Sequence, residues 1–472
     1  MADSLGLPVV EQLETPLSPL EIFECIKDEN GSFFLDSAMD SQKLGRYSLM
    51  GYAPFFTLAS CGDDITIKKA GSEFKLKGDP FEVFGRYLDS YSLEKVDFNL
   101  PCYGGAVGYL SYDLGRFIER LPYKAVDDLQ LPESCFGFYD IMLVYDNLAK
   151  RVFLVSTGFP ETGQLARTAR AKERLAEFKV QLKKFPVLSA PVGNFGQMTG
   201  LKSNFTHEAY IQAVEKARKY IIEGDIFEVN LSQRYEAEIA IPPYELYRRL
   251  RKINPAPFAS YLNFGEVVIA GSSPERFLRL QGDRVETRPI KGTIRRGKNP
   301  EEDKSNEAWL LNSVKDRAEN MMIVDLERND LGRVCRYGSV KVTELAVLEK
   351  FPTVFHLTSS VIGQLKEKVS RVDLIKATFP GGSITGAPKI RSMEIIDELE
   401  PTRRSVYTGS IGYFSFTGDL DLNIVIRTFL IKSRKAYFQL GGAVVYDSDP
   451  EAEYQETLDK GRALFKALSE GS

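Results

Sequence analysis

The sequence predicts an α+β fold in which helices pack on the outside of antiparallel β-sheets. Strand-like runs of alternating apolar and polar residues occur in succession, as in "FEVNLSQRYEAEIAI" and "LDLNIVIRTFLI". Helical runs lie between groups of strands, and nothing indicates a regular series of strand, helix and strand. Consecutive strands of this kind favour antiparallel pairing, with the helices covering the sheets.

The chain of 472 residues is long enough for two or three domains or for one large compact body. Hydrophobic residues make up 43% of it and charged residues 27%, which is typical of a globular protein. The 61 Lys and Arg residues against 65 Asp and Glu give a net charge of -4, so no basic field recruits nucleic acid or an anionic membrane. An anionic substrate would have to be held by locally placed cations.

Targeting and redox signals place the chain in the cytoplasm. The five cysteines are odd in number and contain no C-x-x-C pair, which favours free thiols and argues against structural zinc. The N-terminal "MADSLGLPVVEQLETPL" lacks the basic segment and apolar run of a signal peptide. No window approaches the roughly 18 consecutive apolar residues of a membrane-spanning helix.

A segment rich in Pro, Gly, Ser and Asn predicts a linker over residues 186–203. It separates an N-terminal region, 1–185, from a C-terminal region, 204–470. Three helices are predicted in the C-terminal region from caps and apolar periodicity: one capped by Thr206 and ending at Gly224, one from about Ser305 to Leu331, and a terminal helix that begins at Pro450 after the cap residue Asp449.

Two of these helices carry acidic pairs at spacing i, i+3. Asp316 and Glu319 precede an apolar run on one helix, and Glu453 and Glu456 share a face with Lys460 on the terminal helix. Acids of this spacing are common on solvated helix faces, which is the simpler interpretation of the terminal helix alone. A merely solvated charge is less expected for Asp316 and Glu319, because an apolar run follows them directly. Together, the two pairs offer the oxygen ligands that Mg²⁺ prefers, completed by water or substrate oxygens.

Two features suit the binding of a carboxylate. Arg427 lies in "LNIVIRTFLI", a predicted strand that is apolar on both faces, so it either pairs with a protein carboxylate or binds one of a ligand through its planar fork. The glycines of "TFPGGSITGAPKIRSM" have the spacing of a phosphate loop, but the Lys-Ser/Thr that should follow is missing. We interpret this segment as a tight turn entering a helix, whose N–H groups near Thr385 and Gly386 could cradle a carboxylate.

Lys291 lies in "ETRPIKGTIRRG", where the chain is extended and then turns sharply at Gly292-Thr293. A lone lysine is most often a solvated charge. A desolvated amine at such a turn would be neutral often enough to act as a nucleophile, and the pattern leaves both possibilities open. His356, in "TVFHLTSS", is either a core or a site residue. No Ser-His-Asp elbow, H-E-x-x-H pair or dinucleotide fingerprint is present.

Several strings together resemble the chorismate-utilising enzymes. They occur in order between about Phe205 and Leu468: "GSSPERFL", "RPIKGT", "DRAENMMIVDLERNDLGRV", "FPGGSITGAPKIRSMEIIDELEP", "VYTGSIGY", "NIVIRT" and "DSDPEAEYQETLDKGRAL". The N-terminal part also matches, so the resemblance covers nearly the whole chain and is specific. Anthranilate synthase large subunits of this family carry alanine where this chain has Lys291, and the "PIKGT" form is similar to the aminodeoxychorismate synthases of the folate, or 4-aminobenzoate, pathway.

The resemblance implies two stacked antiparallel sheets flanked by helices, chorismate as the substrate and Mg²⁺ as the cofactor. It makes Glu275, in "SPERF", a general acid/base and His356 a histidine near the departing hydroxyl. The positions that match the residues holding the two carboxylates of chorismate are Gly292, Thr293, Tyr407, Arg427, Gly441, Gly442 and Lys460. The metal ligands would be Glu319 and Glu456, with Asp316 and Glu453 as second carboxylates acting directly or through water.

In the chemistry implied by the resemblance, Lys291 attacks C2 of chorismate while the C4 hydroxyl leaves, protonated by an acid such as Glu275. Mg²⁺ on the ring carboxylate would withdraw charge from the diene. Ammonia then attacks C4 and expels the lysine, so two displacements retain the stereochemistry. The product, 4-amino-4-deoxychorismate, keeps the pyruvyl group.

The family takes its ammonia from a glutamine amidotransferase subunit. None of the five cysteines lies in the "G-x-C-x-G" elbow of such a subunit, so we expect a heteromeric partner, or direct use of ammonia in its absence. One position departs from the pattern, since ammonia-using members usually carry glutamine and water-using members lysine where this chain has Glu228. A glutamate still fits ammonia chemistry but changes the charge beside the substrate.

The strings "LDSA", "GRYSLMG" and "NPAPFASYL" resemble the family's tryptophan pocket, and the matching residues are Ser37, Arg46, Tyr47, Ser48, Pro257, Phe258 and Ala259. Bound tryptophan mediates feedback inhibition in anthranilate synthases and would be structural in aminodeoxychorismate synthases. Two other functions stay open: an anthranilate synthase large subunit that tolerates Lys291, and a non-catalytic regulatory protein that binds chorismate or tryptophan. The complete set of site residues argues against the regulatory protein.

Overall fold

The structure, a computed structural model, describes residues 8–39, 42–69, 71–94, 96, 99–183, 199–351 and 354–469. Two short 3-10 helices cover Tyr112–Phe117 and Gly382–Ile384. The α-helices of these residues are α1 (Pro19–Glu24), α2 (Pro80–Ser90), α3 (Gln164–Lys183), α4 (His207–Ile222), α5 (Pro243–Ile253), α6 (Pro300–Asn312), α7 (Val314–Val334), α8 (Arg371–Thr378), α9 (Lys389–Leu399) and α10 (Pro450–Ser469).

The strands of the same residues are β1 (Val9–Leu13), β2 (Phe33–Asp36), β3 (Tyr47–Gly51), β4 (Phe56–Cys61), β5 (Asp64–Lys69), β6 (Ser72–Lys77), β7 (Gly105–Leu110), β8 (Ser134–Tyr139), β9 (Ile141–Asp146), β10 (Arg151–Ser156), β11 (Thr199–Ser203), β12 (Glu228–Glu238), β13 (Phe258–Asn263), β14 (Val267–Ser273), β15 (Arg276–Gln281), β16 (Arg284–Arg288), β17 (Ile290–Arg295), β18 (Lys341–Lys350), β19 (Val354–Gln364), β20 (Gly386–Ala387), β21 (Ser410–Ser415), β22 (Leu420–Asn423), β23 (Thr428–Lys432) and β24 (Lys435–Val444).

These strands form two antiparallel sheets of twelve strands each. The first sheet has the order β1, β10, β9, β3, β2, β13, β14, β23, β24, β12, β11, with the short β20 beside β12. The second sheet has the order β17, β19, β16, β15, β22, β21, β7, β8, β4, β5, β6, with β18 also beside β19. The prediction of antiparallel sheets in an α+β fold is confirmed.

Both sheets combine strands from the two ends of the chain. In the first sheet, β2 pairs with β13, which follows it by more than 200 residues: Ala259 is the register partner of Asp36. Residues 186–198 of the predicted linker lie outside the described residues. The last residues of that linker form β11, Thr199–Ser203, which is an edge strand on β12.

The sheets stack face to face, with helices on the outer sides. An apolar layer between them combines residues such as Leu49 and Val144 of the first sheet with Val107 and Ile411 of the second. The outer face of the first sheet packs against α1, α3, α5 and α10, and that of the second against α2, α7 and α8. Helices α4 and α9 pack against β12 of the first sheet. This arrangement of helices, sheet, sheet and helices buries both faces of each sheet.

Local signals place most helix ends correctly. Thr206 caps α4, since its side chain accepts a hydrogen bond from the Ala209 N–H at 3.1 Å. Asp449 caps α10, since its side chain accepts from the Ala452 N–H at 2.9 Å. The single long helix predicted from Ser305 to Leu331 is wrong. Ser313 ends α6 in an extended conformation, and its hydroxyl accepts from the Asp316 N–H at 3.2 Å, so α7 begins there in a new direction.

Two further predictions concern thiols and membrane spans. All five cysteines are free thiols, as predicted, and Cys102 and Cys335 are buried. Among the described helices, none combines the length and the apolar character needed to cross a membrane.

The buried aromatic ring of Phe138 provides a test of the core. It is fully buried on β8 and stacks on Phe56 at a centroid distance of 4.2 Å. Replacement by alanine leaves a cavity and should lower the free energy of unfolding by about 3–5 kcal/mol. The same substitution at Phe74, which is 57% exposed on β6 of the same sheet, should cost less than about 1 kcal/mol. Chemical denaturation followed by circular dichroism measures both, and equal losses would contradict the placement of Phe138.

Candidate active site

The predicted site residues meet where edge regions of the two sheets approach each other. Strands β12 and β24 of the first sheet bring Glu228 and the pair Gly441-Gly442, and β17 of the second sheet brings Lys291. Helix α7 packs on β17, and helix α10 packs on β24. The acidic residues of both helices therefore lie over this region.

Lys291 is a buried residue of strand β17, so the interpretation as a solvated loop charge is wrong. It is 7% exposed, and its Nζ donates a hydrogen bond to Glu228 Oε1 at 2.6 Å. Glu228, the first residue of β12, is fully buried, and its Oε2 has no hydrogen-bond partner among the described residues. The ion pair joins the two sheets at the centre of the site.

Gly292 allows helix α7 to approach the lysine closely. Its φ of +84° favours glycine, and a Cβ there would lie 3.0 Å from Cβ of Asp316. The pairing of β17 with β19 shifts register between Ile290 and Thr293. The sharp turn predicted at this point is thus a bulge inside a strand, and the strand continues beyond it to Arg295.

Glu275 lies in the connection between β14 and β15 and is buried. Its Oε1 accepts from the Ser383 hydroxyl at 2.5 Å and from the Ile290 N–H at 3.3 Å. Burial raises its pKa to about 7, against the opposing effects of these donors and of the charges of Lys291 and Arg427. A carboxyl group with this pKa can give or take a proton near neutral pH.

His356 is buried on β19, on the side of the site where the cations lie. Its Nδ1 is 2.8 Å from the Thr293 hydroxyl, and its Nε2 has no hydrogen-bond partner among the described residues. Burial lowers its pKa well below the usual range, and the positive charges of Arg427 and Lys460 lower it further. The imidazole is therefore neutral at physiological pH, with one ring nitrogen left for a ligand.

Helix α7 turns the side chain of Glu319 toward the lysine. Burial raises the pKa of Glu319 to about 7; the nearby charge of Lys291 opposes this rise, and those of Glu228 and Asp316 add to it. Glu319 Oε1 is buried without a hydrogen-bond partner in the described part of the chain. Asp316 is the third residue of α7 and accepts a hydrogen bond from the cap residue Ser313. Its side chain also lies directly against Gly292.

Helix α10 directs a second acidic pair toward strand β24. Glu453 is buried, and its Oε1 accepts from Ser448 at 2.6 Å while its Oε2 has no partner among the described residues. Glu456 forms an ion pair with Lys460 at 2.7 Å. A Cβ on Gly442 would lie 3.3 Å from both Glu453 Oε2 and Glu456 Oε1, so the two carboxylates converge over this glycine.

The two acidic pairs, one on α7 and one on α10, lie close to each other. The charge of Lys315, on α7, affects the pKa of both Glu453 and Glu456 on α10, so the two helices approach each other here. Within the described ranges, no group of three or more Asp, Glu, His or Cys side chains is placed so that it could hold a metal ion. A hard dication bound here would therefore need oxygens from water or a substrate in addition to those of Glu319 and Glu453 that lack a hydrogen-bond partner.

Arg427 does not lie inside a strand, in contrast to the prediction. The strand predicted around it is interrupted between β22 and β23, and Arg427 has a φ of +52° in this break. Burial lowers the pKa of its guanidinium to about 10, and the charge of Glu275 opposes the shift. No hydrogen bond or ion pair to its side chain occurs among the described residues. The guanidinium is therefore available to a ligand carboxylate.

The other predicted substrate residues lie beside Arg427 or across from it. The Lys460 Nζ donates to Gly441 O at 3.1 Å, and a Cβ on Gly441 would lie 2.9 Å from the Tyr407 hydroxyl. Thr293 lies opposite His356 in the pairing of β17 with β19. Backbone, hydroxyl and cationic groups therefore lie together in this part of the site.

The turn of residues 381–386, the glycine turn, is tight and leads into helix α9, as predicted. Its polar groups mostly bind the protein itself. The Gly382 N–H donates to Glu327 Oε1 at 3.0 Å, and the Thr385 hydroxyl donates to Gly381 O at 3.0 Å. Gly386 packs so closely on β12 that a Cβ would lie 2.1 Å from Glu228 O. The prediction of free N–H groups is wrong for Thr385, whose N–H donates to Gly382 O at 3.3 Å.

Sequence reasoning missed the residues that hold this turn. Arg404 and Glu400 form a buried bidentate ion pair, with distances of 2.7 and 2.9 Å. Arg404 also donates to Ile384 O and Asn230 O, and Glu400 accepts from the Ser232 N–H and hydroxyl. The i, i+4 spacing of the pair was visible in "ELEPTRRS", but its burial depends on distant strands.

The residues of the predicted tryptophan pocket come together from distant parts of the chain. The Ser37 hydroxyl donates to Tyr47 O at 2.7 Å and lies 3.3 Å from Pro257 O. The Ser37 N–H donates to the Ser48 hydroxyl at 3.1 Å. The three remaining predicted residues are placed as follows: Arg46 pairs with Asp146 at 2.9 Å, and Phe258 and Ala259 begin β13 beside β2.

Comparisons with known proteins all point to one family. A model of chorismate binding enzymes matches residues 54–466. The chain is 41% identical to anthranilate synthase component 1 of Cereibacter sphaeroides, over 97% of this chain and 93% of that one. It is 42% identical to aminodeoxychorismate synthase component 1 of Bacillus subtilis, over 91% of each chain.

Solved structures agree with the observed architecture. Anthranilate synthase component I from Streptococcus pneumoniae superposes with a TM-score of 0.76 at 33% identity, over 90% of this chain and 93% of that one. The menaquinone-specific isochorismate synthase of Escherichia coli superposes with a TM-score of 0.71 at 19% identity, over 98% and 95%, which shows a shared fold. Two stacked antiparallel sheets flanked by helices are thus confirmed.

The buried ion pair predicts an unequal response to single and double substitution. Lys291→Ala leaves Glu228 buried without its partner and should lower the free energy of unfolding by about 3–5 kcal/mol. The double variant Glu228→Leu with Lys291→Met removes both charges at similar volume and should recover most of this loss. As a control, Arg462→Ala breaks an exposed pair with Asp459 and should cost less than about 1 kcal/mol. Denaturant titration measures all three, and a Lys291→Ala loss no larger than the control contradicts the buried pair.

Proposed function

The chain belongs to the family of chorismate binding enzymes, and from this premise we propose that it is an aminodeoxychorismate synthase large subunit. It would replace the C4 hydroxyl of chorismate by an amino group, with ammonia as the nitrogen donor. The observation that carries the proposal is the buried amine of Lys291, held at 2.6 Å from Glu228 next to the acid Glu275. A lysine at this position supports covalent amination, because the anthranilate-forming members that the sequence resembles have alanine here.

The two carboxylates of the substrate would be bound by cationic side chains and by the backbone around them. Arg427, which has no partner among the described residues, can hold one carboxylate through two parallel hydrogen bonds. Lys460 and the Tyr407 hydroxyl lie beside Gly441 and can hold the other. Because Arg427, Lys460 and Tyr407 are each partly buried, their contacts with a carboxylate would be stronger than those of fully exposed side chains.

The first displacement needs a neutral amine and a protonated leaving group. Glu228 is the group closest to the amine of Lys291 and takes its proton. The amine forms a bond to C2, the ring double bonds shift, and the C4–O bond breaks. Glu275 gives its proton to the departing oxygen, which leaves as water, and the lysine remains attached to the ring as a secondary ammonium.

The second displacement reverses the shift of the double bonds. Ammonia forms a bond to C4, and the C2–N bond breaks with its electron pair going to the Lys291 amine. The new ammonium group on C4 returns a proton to Glu275, and Glu228 returns one to Lys291. Both residues are thereby restored, and the ring carries an amino group at C4 with its pyruvyl ether intact.

Mg²⁺ would be held by Glu319 and Glu456, with Asp316 and Glu453 as further oxygen ligands directly or through water, and would supply Lewis-acid stabilisation of charge on the ring carboxylate. One observation supports this assignment. Glu319 and Glu453 each have a buried oxygen without a hydrogen-bond partner in the described residues. The Nζ of Lys315 lies 3.9 Å from that oxygen of Glu319.

Ammonia would come from a glutamine amidotransferase subunit that binds this chain, or from solution when that subunit is absent. We base the partner on the absence of a G-x-C-x-G elbow around any of the five cysteines. The setting of this chemistry would be the synthesis of 4-aminobenzoate for folate in the cytoplasm.

Anthranilate synthase is the second candidate, favoured by the 41% identity to the Cereibacter sphaeroides protein over almost the whole chain. The two reactions differ in one observable outcome. Anthranilate formation eliminates pyruvate, whereas aminodeoxychorismate keeps the pyruvyl group.

The product distinguishes the candidates directly. Purified protein with chorismate, Mg²⁺ and an ammonium salt should yield 4-amino-4-deoxychorismate in chromatography with mass detection. Lys291→Ala should slow this reaction by about 10²-fold or more, because it removes the nucleophile. Lys75→Ala, at an exposed position of β6, serves as the matched control with an unchanged rate.

Mass spectrometry of the quenched protein provides a second readout in the same experiment. Without ammonia, the wild-type chain should gain the mass of chorismate less one water, and Lys291→Ala should not. Anthranilate with free pyruvate as the product establishes the second candidate. A full rate in Lys291→Ala rules out the covalent step.

Tryptophan binding by the predicted pocket gives an independent prediction. We propose that tryptophan occupies the space lined by Ser37, Tyr47 and Pro257. Binding to the folded state alone should raise the free energy of unfolding by about 2.7 kcal/mol at a hundredfold excess over Kd. Thermal denaturation with added tryptophan should therefore shift upward in a saturable way, with phenylalanine as the control ligand. An unchanged melting temperature contradicts occupancy.

A further inference from the structure

We infer that Ser383 positions Glu275 for proton transfer, and that Glu327 in turn positions Ser383. Both are therefore positioning residues, which act through Glu275 without touching the substrate. The inference rests on the proposed function, because it concerns the acid that protonates the leaving hydroxyl.

The contact between Ser383 and Glu275 fixes one oxygen of the carboxyl group. The Ser383 hydroxyl donates to Glu275 Oε1 at 2.5 Å, and the Ile290 N–H donates to the same oxygen at 3.3 Å. Both side chains are buried, with exposures of 7% for Ser383 and 4% for Glu275. In the described residues, no hydrogen bond reaches Oε2. The second oxygen is thus left to carry the proton toward the substrate.

Glu327 holds the backbone next to the serine. It lies on α7, is 2% exposed, and its Oε1 accepts from the Gly382 N–H at 3.0 Å. Its Oε2 accepts from the Thr287 hydroxyl at 3.2 Å, which fixes the direction of the carboxylate. A Cβ on Gly382 would lie 2.6 Å from the Leu326 side chain, so the glycine turn lies directly on the helix.

Two further contacts restrict the turn from the opposite side. Asn230 Nδ2 donates to Ser383 O at 2.7 Å, and Arg404 Nη1 donates to Ile384 O at 2.9 Å. Three successive residues of the glycine turn are therefore anchored, and each anchor comes from a different element of the fold. The Ser383 hydroxyl has little freedom to leave Glu275.

Electrostatics set the direction of the expected pH effect. The charged groups that face Glu275 are Lys291 from β17 and Arg427 from the break before β23. Burial raises the pKa of Glu275 to about 7, while the Ser383 hydroxyl lowers it by stabilising the ionised form. Loss of this hydroxyl should raise the pKa further. Glu275 acts in its protonated form, so activity is lost at alkaline pH as this carboxyl group ionises. In a variant without the Ser383 hydroxyl, this loss of activity should occur at a higher pH.

The test compares pH profiles of kcat in intact full-length variants. Ser383→Ala should lower the maximal kcat by about 10-fold to 100-fold, leave the KM for chorismate within threefold and move the alkaline limb to higher pH. Ser469→Ala, at the exposed end of α10, is the matched control with an unchanged profile. A Ser383→Ala profile that keeps the wild-type alkaline limb overturns the inference, and so does an effect confined to KM.

Two substitutions at Glu327 separate positioning from folding. Glu327→Gln keeps an oxygen for the Gly382 N–H and should retain a wild-type profile. Glu327→Ala should reproduce the lowered kcat of Ser383→Ala while its circular dichroism spectrum stays native. Equal profiles for the Gln and Ala variants contradict the role of Glu327.

The product of the wild-type enzyme keeps the two proposals separate. If the product is anthranilate, the proposed function fails. The alkaline limb of the pH profile of Ser383→Ala can then be measured on anthranilate formation, and its position still decides the inference. If the product is aminodeoxychorismate and the limb does not move, the inference fails and the proposed function stands.

Discussion

The ion pair between Lys291 and Glu228 ties the two sheets together at the site. It joins strand β17 of the second sheet to strand β12 of the first, in a region from which water is largely excluded. Two opposite charges can be buried there only because each satisfies the other, and removal of either leaves an uncompensated charge. The same low polarity raises the pKa of Glu275 and Glu319 to about 7. Burial of this region therefore accounts both for the ion pair and for the raised pKa values of the two carboxyl groups.

A surplus of acidic groups surrounds the pair. Helices α7 and α10 each direct two acidic residues to this region, and Lys460 neutralises only Glu456 among them. Oxygens without a hydrogen-bond partner remain on Glu319 and Glu453 within the described residues, and the Nζ of Lys315 lies 3.9 Å from that of Glu319. On the opposite side, Arg427 and His356 form a positive and neutral surface. The described side chains of the site therefore divide into a mainly acidic side and a side that carries the guanidinium of Arg427.

Buried and paired polar groups connect the elements around the site. The ion pair of Arg404 and Glu400 connects the glycine turn, β12 and the segment that carries Tyr407. Helix α7 holds the same turn through Glu327. A small displacement of any of these elements would leave a buried donor or acceptor without a partner, at a cost of about 1–3 kcal/mol each. Precise placement of Glu275 is thus secured by the same contacts that stabilise the fold.

Local sequence determined the features that depend on near neighbours. The caps at Thr206 and Asp449, the spacing of acids on α10, and the alternation of the strands all rest on contacts within a few residues, and they were predicted correctly. The resemblance carried by short motifs identified the family. Neither revealed that Lys291 is buried.

Only the tertiary structure decided which polar groups are paired. The partner of Lys291 lies 63 residues away in sequence, and Ser383 reaches Glu275 across 108. The break at Arg427 was unpredictable from an apolar run, since a φ of +52° is imposed by the surrounding chain. Burial and hydrogen bonding between distant strands have no local signature, because they arise when the two sheets stack. For this reason the sequence supplied the candidate residues, and the fold assigned each its partner.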